Sequence, residues 1–259
     1  MELIDIGVNL TGSQFKKDRV EVIERAAAVG VKRIIVTGTS DQANTQAAKL
    51  VKRFPGTLYM TAGVHPHNAK QYSPATSDKL REYAKMDAVV AIGECGLDYN
   101  RMRSPQNTQL MAFEAQLAVA ADVGLPVFLH ERDAVEDFTT VLRKWRPKLV
   151  GAVVHCFTGE GDALKSYLDL DCHIGITGWI CDERRGTHLQ ELVKLIPADK
   201  LMVETDAPWL TPRDLPGKVR RNEPMYLPHI VERVARCVGK DPKVVAQETT
   251  DVAVKFFGL

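Results

Sequence analysis

Residues 88–100, AVVAIGECGLDYN, join an uninterrupted apolar run to two glycines and two acids. Apolar and polar residues do not alternate in the segment VVAI, which is typical of a strand buried on both faces, as in parallel sheets. Glu94 therefore falls at the carboxyl end of a buried strand. Because Gly93 and Gly96 flank this glutamate without side chains, we expect its carboxylate to point into a crevice that a ligand can approach.

Seven further apolar runs alternate with segments of helical period. Strands that alternate with helices form parallel βαβ units, and eight such units favour a closed barrel over an open sheet. The chain has 259 residues, close to the about 250 residues typical of such barrels. The sequence thus predicts an α/β fold, a (β/α)8 TIM barrel, as a single domain over residues 1–259. The predicted strands are 3–8, 33–37, 58–64, 88–93, 126–130, 151–155, 173–177 and 201–204.

The charge balance is nearly even, with 34 lysines and arginines against 33 acids and a net charge of +1. This balance excludes a global positive field as the means of attracting a polyanion, so any affinity for nucleic acid must be local. The five cysteines form no C-x-x-C pair, which indicates free thiols in a reducing compartment. The chain opens with acids rather than a basic leader, and no apolar run has the length of a membrane span. We expect a cytoplasmic protein without a membrane partner, and a monomer.

Residues with metal-binding chemistry stand at the ends of several predicted strands. Glu94, His130 and His155 each end an apolar run, and the carboxyl ends of strands form the active site in (β/α)8 barrels. One such histidine alone is more often structural, but imidazoles and a carboxylate at one mouth are the donors that a divalent metal needs. We predict these three residues as metal ligands. Asp206 ends the eighth strand and is the predicted general base toward an attacking water, which makes hydrolysis the expected reaction.

Six motifs spread over the whole chain are GVHPH at 63–67, IGECGLDY at 92–99, PVFLHERDA at 126–134, HCFTG at 155–159, ETDAP at 204–208 and RNEP at 221–224. Together and in this order they resemble the TatD family of metal-dependent deoxyribonucleases, within the amidohydrolase-like barrels. The resemblance implies the same metal ligands, Asp206 as the catalytic or metal-facing acid, and His65 as a catalytic residue near the scissile phosphate. It also implies a Mg²⁺-dependent 3′-to-5′ exonuclease on single-stranded DNA or RNA. A role in DNA repair or DNA fragmentation is a further expectation.

The opening of the chain departs from the wider family, which has Asp-x-His-x-His after the first strand. Gly7 and Asn9 stand here in place of the two histidines, and neither offers an imidazole. We therefore predict one firmly held ion, with a second ion bound more weakly at most. The resemblance favours Mg²⁺, whereas two imidazoles and a carboxylate suit Mn²⁺ or Zn²⁺ at least as well.

Basic and aromatic residues on the predicted rim loops offer local contacts for a polynucleotide. Guanidinium groups suit phosphate oxygens, and aromatic rings stack on unpaired bases. Because the positive charges are few, we expect a modest and salt-sensitive affinity. The predicted nucleic-acid-binding residues are Arg184, Arg185, Arg221, Tyr99 and Trp209, and Lys218 lies near Arg221 in the same proline-rich segment.

Two other functions stay open on the residues alone. The same barrel and the same activation of water serve the metal-dependent hydrolysis of small amides, lactones or esters. Salt distinguishes this alternative, since a small-molecule hydrolase is indifferent to salt and a nuclease is not. A barrel that has lost its histidines would instead be a binding remnant for nucleic acid or protein. The joint presence of Glu94, His130, His155 and Asp206 argues against that reading.

Overall fold

The computed structural model describes residues 2–217 and 219–259. Eight strands in this part of the chain follow one another through the sheet in chain order. Every run that the sequence predicts as a strand is a strand, and the predicted (β/α)8 fold is confirmed. The strands are β1 (Leu3–Val8), β2 (Val31–Val36), β3 (Leu58–Ala62), β4 (Val89–Asp98), β5 (Val127–Arg132), β6 (Ala152–Val154), β7 (His173–Ile176) and β8 (Leu201–Val203).

Helices separate successive strands, and two more follow β8. The side chains of Ser40 and Asp241 accept backbone hydrogen bonds at the starts of two of them, as expected of good N-caps. Within the described residues, no helix combines the length and the apolar character needed to cross a membrane. The helices are α1 (Arg19–Ala28), α2 (Asp41–Val51), α3 (Pro74–Tyr83), α4 (Gln106–Val123), α5 (Val135–Trp145), α6 (Gly161–Asp169), α7 (Thr187–Leu192), α8 (Leu227–Val238) and α9 (Pro242–Phe257).

Two compact units divide the described residues. The first comprises residues 2–36, 156–164 and 174–259, and the second comprises residues 37–155 and 165–173. The second unit contains β3 to β6 and the predicted metal ligands Glu94, His130 and His155. The single domain expected from the sequence stays a prediction.

β4 is longer than its predicted range, so Glu94 lies within the strand rather than at its end. The sequence prediction ended at Gly93, where glycines interrupt the apolar run. In the structure the pairing with β5 continues past Gly96, which lies opposite His130, to Asp98. Gly96 has a φ of 143°, and a Cβ at this position would collide with the carbonyl oxygen of His130. Glycine thus allows β4 to lie close against β5 at the site.

Aromatic contacts build the core of the second unit. Phe113 of α4 stacks on Phe138 of α5 with ring centroids 5.3 Å apart, and Phe138 meets Tyr167 of α6 edge-on at 5.6 Å. All three side chains are fully buried. The hydroxyl of Tyr167 donates to Glu131 at 2.6 Å, so its polar end is satisfied inside the core. This packing holds α4 against β4 and α5 against β5.

In the first unit β1 lies beside β8, and a parallel bridge joins Val8 to Ala207. The buried carboxylate of Asp5 accepts hydrogen bonds from the backbone N–H of Thr205 at 2.9 Å and from its hydroxyl at 2.6 Å. Burial raises the pKa of Asp5 to about 8 in spite of these hydrogen bonds. The contacts between Asp5 and Thr205 fix the segment that carries Asp206.

Candidate metal centre

Four of the predicted site residues meet around one carboxylate oxygen in the second unit. Oε1 of Glu94 lies 2.8 Å from Nε2 of His155 and 3.0 Å from Nδ1 of His130. Nε2 of His65 lies 3.3 Å from the same oxygen. Residues that are far apart in the chain are thus brought together as the strand ends predicted. Their roles as ligands or catalytic groups stay predictions.

Neighbouring side chains fix the orientation of these groups. The ring of Phe128 on β5 stacks on His155 with centroids 4.5 Å apart. Gln116 of α4 clamps the backbone just before His65, because its amide oxygen accepts from the N–H of Val64 at 2.7 Å and its NH₂ donates to the carbonyl of Val64 at 3.1 Å. The buried carboxamide thus satisfies the backbone N–H and the carbonyl of Val64, which follows the end of β3. The imidazoles are therefore held in place by packing and by backbone hydrogen bonds.

Asp98 and His67 also belong to the site, although the sequence did not assign them to it. Oδ2 of Asp98 lies 2.6 Å from Nε2 of His67 and 3.5 Å from Nε2 of His130. Alternation along a strand places residues 94 and 98 on one face, but the predicted strand ended too early for this signal to be used. His67 lies in a 3₁₀ segment, Pro66–Gln71, which no periodic pattern in the sequence indicates.

Burial and the imidazoles act in opposite directions on the two carboxyl groups. Burial alone would raise the pKa of Glu94, but the surrounding imidazoles hold it well below its usual range. Burial would also raise the pKa of Asp98, but its contacts with His130 and His67 lower the pKa by more. Burial lowers the pKa of His65 to about 4, so its ring is neutral at pH 7. Both carboxylates therefore stay ionised, as the binding of a cation requires.

The tautomer of neutral His65 follows from its contact with the next turn. The backbone N–H of His67 donates to Nδ1 of His65 at 3.0 Å, so Nδ1 carries no proton. The proton is therefore on Nε2, the atom that faces Glu94. In this state Nε2 of His65 is a hydrogen-bond donor rather than a ligand atom, which favours the predicted catalytic role.

The remaining donors fit a divalent cation. Glu94 offers an anionic oxygen, and Nδ1 of His130 and Nε2 of His155 are the nitrogens directed at it. Neutral imidazoles combined with a carboxylate are the ligands of catalytic metal sites, and they suit Zn²⁺ and Mn²⁺ as well as an ion that prefers oxygen. The acid is nearly fully buried, with 5% of its surface exposed. A cation here would therefore act in a site largely screened from solvent.

Among the described residues, two groups have ligand atoms close enough together to hold one ion: His65, Glu94 and His130 in the second unit, and Cys181, Asp214 and His229 in the first. Asp214 is already occupied there, because His229 lies 2.7 Å from one of its oxygens and the guanidinium of Arg233 contacts the other. Burial raises the pKa of Cys181 to about 12, so the thiol keeps the proton that a metal ligand must lose. The positive charge of Arg233 opposes a cation as well. The centre around Glu94 is thus the better metal site.

The family profile described as TatD related DNase matches residues 4–258. The chain belongs to the TatD family. A curated relative from Rahnella sp. (strain Y9602), named 3′-5′ ssDNA/RNA exonuclease TatD, is 52% identical over 259 residues, which cover 99% of this chain and 98% of the relative. The protein of that name from Salmonella typhimurium is 53% identical over 249 residues, 95% of each chain. A solved TatD family hydrolase from Entamoeba histolytica has a TM-score of 0.90 at 25% identity, covering 99% of this chain and 98% of that one.

In this TatD chain Asp206 lies in the first unit, three residues beyond the end of β8 at Val203, and not at the end of the strand as predicted. It has a φ of 51°, and its backbone N–H donates to the carbonyl of Gly7 at 2.9 Å. Its carboxylate accepts a hydrogen bond from the side-chain amide of Asn9 at 2.9 Å. The two positions at which the wider family has histidines therefore hold Asp206 in place. The catalytic role of Asp206 and the single firmly held ion stay predictions.

The predicted nucleic-acid contacts after β7 and β8 are exposed in part. Arg184 and Arg185 pair with Asp182 at 2.9 and 3.1 Å, yet more than half of each side chain is exposed. Trp209 is 55% exposed. Lys218 lies outside the residues that the structure describes. An exposed guanidinium can still reach a phosphate, so Arg184 and Arg185 stay predictions for the TatD chain's contacts with nucleic acid.

Two other predicted contacts are more strongly engaged within the protein. The guanidinium of Arg221 contacts Asp18 and lies 3.0 Å from Glu223, and less than a quarter of its side chain is exposed. Tyr99 donates its hydroxyl to Asp137 at 2.7 Å. Both residues stay predictions as nucleic-acid contacts. Arg221 in addition ties the segment after β8 to the start of α1, a structural role that the RNEP motif did not reveal.

Proposed function

We propose that this TatD-family chain is a metal-dependent 3′-to-5′ exonuclease that hydrolyses phosphodiesters of single-stranded DNA and RNA. The observation that carries the proposal is the convergence of Glu94, His130 and His155, with 2.8 and 3.0 Å between the carboxylate and the two imidazoles. Relatives that are 52% and 53% identical over nearly their whole lengths carry that activity in their names. This likeness favours a nuclease over a hydrolase of small amides, lactones or esters, and over a binding remnant.

The proposed cofactor is one firmly held divalent ion, bound by Glu94, His130 and His155. Mg²⁺ is the proposed activating ion, with Mn²⁺ or Zn²⁺ as alternatives that the nitrogen donors support. When bound, such an ion supplies positive charge that polarises a phosphodiester and eases the ionisation of water. The protein itself orients the donor side chains. Phe128 stacks on His155, and the pairing of β4 with β5 sets Glu94 beside His130.

The chain's own side chains supply proton transfer and orientation. Neutral His65 keeps its proton on Nε2 and donates a hydrogen bond from this atom to an oxygen of the scissile phosphate. Asp206, held by Asn9, takes the proton of the attacking water as its oxygen bonds to phosphorus. The bond from phosphorus to the leaving ester oxygen breaks in the same displacement, and this oxygen takes up a proton from solvent water. These assignments of His65 and Asp206 are parts of the proposal.

The proposed substrate contacts are Arg184, Arg185, Arg221, Tyr99 and Trp209. They would bind phosphates through guanidinium groups and unpaired bases through aromatic rings. The exposed fractions of Arg184, Arg185 and Trp209 support this role. A cytoplasmic location, a monomeric state and a role in DNA repair or DNA fragmentation complete the proposal, the first supported by the lack of any C-x-x-C pair among the cysteines.

An end-labelled single-stranded oligonucleotide tests the activity directly. We expect purified protein with Mg²⁺ to shorten the strand one nucleotide at a time from its 3′ end, and a chelator to stop the reaction. Glu94→Gln keeps the shape of the side chain but removes the anionic ligand, so we expect at least a 100-fold loss of rate. Asp206→Asn should lower kcat to a similar degree while ion binding persists.

Glu131→Gln is the matched control, because it removes one negative charge from β5 next to His130. Its carboxylate contacts Ala134 and Tyr167 rather than the imidazoles. Its activity should stay within about twofold of the unmodified protein, because glutamine keeps one oxygen acceptor and its NH₂ can donate to the hydroxyl of Tyr167. Full activity in chelator, or equal rates for Glu94→Gln and Glu131→Gln, would contradict the proposed metal-dependent nuclease.

A further inference from the structure

We propose that Asp98 is a positioning residue that selects the tautomer of His130 and so leaves Nδ1 free to bind the ion. The inference deepens the proposed function and rests on it, because His130 is there a metal ligand. Asp98 itself does not touch the substrate or the ion. It acts through the far side of the His130 ring.

The two nitrogens of His130 face two different carboxylates on β4. Nδ1 lies 3.0 Å from Glu94, and Nε2 lies 3.5 Å from Oδ2 of Asp98. Gly96, between the two acids, has no side chain to separate them from the ring. The ring of His130 therefore spans from the ion-binding carboxylate to a second carboxylate behind it.

A neutral imidazole carries one proton, and the nitrogen that binds a metal must be the other one. Nε2 of His130 is buried and makes no hydrogen bond to any residue in the described part of the chain. Protonated, this nitrogen faces the negative charge of Asp98; unprotonated, it would place a lone pair toward that charge. Once Glu94 shares its charge with a bound ion, Asp98 is the carboxylate whose charge still faces the ring, and it stabilises the tautomer with the proton on Nε2. Partners of this kind fix ring orientation and raise the basicity of the ligating nitrogen.

Asp98 is itself fixed, as a positioning group must be. It is 3% exposed, and its second oxygen accepts from the backbone N–H of Arg101 at 2.7 Å. Gln109 of α4 binds its backbone from both sides, accepting from its N–H at 2.8 Å and donating to its carbonyl at 3.0 Å. The remaining partner of its carboxylate is His67, at 2.6 Å. The charge of this buried acid is thus balanced by two imidazoles and a backbone N–H.

Ion affinity is the first test, measured by calorimetry with Mn²⁺ or Zn²⁺ on the full chain. Asp98→Asn keeps the shape of the side chain and an acceptor for Arg101, but it loses the charge that faces His130. We expect the Kd of the ion to rise about 10- to 100-fold, as for loss of comparable partners of metal ligands. Glu131→Gln removes a charge from the neighbouring strand and should stay within about twofold.

An unchanged Kd in Asp98→Asn, with a normal melting curve, would overturn the inference while the proposed function stands. If the unmodified protein binds neither ion, the proposed metal site fails and this inference falls with it. The two failures are therefore distinguishable. Equal losses in Asp98→Asn and Glu131→Gln would also overturn it, since they would show a general effect of charge.

The second test observes the tautomer in the unmodified protein. Long-range ¹H–¹⁵N spectra of the Zn²⁺-loaded protein, in which only seven histidines contribute, report which ring nitrogens carry protons. We expect His130 to be protonated on Nε2 and unprotonated on Nδ1. A proton on Nδ1 with Nε2 bare would overturn the inference, and its assignment needs only His130→Gln as a reference spectrum.

Discussion

Replacement of Gly96 by alanine tests the close approach of β4 and β5 at the site. The φ of 143° at Gly96 belongs to a region that other residues occupy at a cost of about 1–3 kcal/mol. The added Cβ would also overlap the carbonyl oxygen of His130. Relief of this overlap separates the strands and breaks a buried backbone hydrogen bond, at a further cost of about 1–3 kcal/mol. We therefore expect Gly96→Ala to lower the free energy of unfolding by about 2–6 kcal/mol.

Gly124→Ala is the matched control, because Gly124 ends α4 with a φ of 69° and has no atom within 4 Å of an added Cβ. It carries the cost of the left-handed conformation alone, about 1 kcal/mol. Urea unfolding followed by circular dichroism gives both free energies. In thermal melts each kcal/mol should appear as a fall in Tm of about 2–4 °C for a chain of this size.

The same substitution should weaken ion binding, since the strand shift moves the backbone of His130. Gly124→Ala should leave the ion's Kd unchanged, because it lies at the far end of α4. Two results would refute the reasoning. One is an unfolding free energy for Gly96→Ala equal to or higher than that for Gly124→Ala. The other is an unchanged Kd in a destabilised Gly96→Ala protein.

Substitutions at three further positions have defined outcomes. In the folded chain the pKa of Asp5 is about 8, so between about pH 4 and pH 8 the folded state keeps a proton that the unfolded chain releases, and stability falls as pH rises. Asp5→Asn removes this pH dependence of stability. The difference in unfolding free energy, Asp5→Asn minus unmodified protein, should therefore rise by on the order of 3 kcal/mol from pH 5 to pH 8. If both proteins show the same pH dependence, the assignment is wrong. His65→Ala should lower kcat about 100- to 1000-fold, and His65→Gln, whose amide keeps a donor near Nε2, should retain more activity than His65→Asn; the reverse order would reject the assigned tautomer. Arg221→Ala should weaken single-strand binding more than hydrolysis of a small phosphodiester, and equal losses would count against its role in binding.

The sequence predicted the fold and the convergence at the candidate metal centre because both depend on simple regularities. Eight apolar runs without alternation indicate parallel strands. A polar residue at the carboxyl end of such a run lies at the one mouth of the barrel where these strand ends meet. His130 and Glu94 could be paired on this basis without any knowledge of distances. The strand order in the sheet then follows the order in the chain.

Residues that hold the ligands in place could not be predicted in this way. Gln109 and Gln116 lie on the buried stripe of α4, where the helical period shows burial but not which peptide each carboxamide will bind. Asp98 was not predicted for a different reason. Gly93 and Gly96 are typical of the end of a strand, but β4 continues through them. The path of β4 through Gly96 depends on the approach of β5, a tertiary contact that a local pattern does not contain.

If the arginines after β7 bind the substrate as proposed, a chain of net charge +1 binds a polyanion by exchange of partners. Asp182 accepts hydrogen bonds from Arg184 and Arg185 and lies 3.7 Å from Arg213. A phosphate that binds these guanidinium groups must replace part of their contact with Asp182. The gain is the difference between two ion pairs in which the side chains of Arg184 and Arg185 are more than half exposed, and it is small and falls with salt. Asp182→Asn removes the competing charge and should tighten oligonucleotide binding in a filter or anisotropy assay. Weaker binding by Asp182→Asn would show instead that Asp182 orders the arginines for the phosphate, and exchange would be the wrong account.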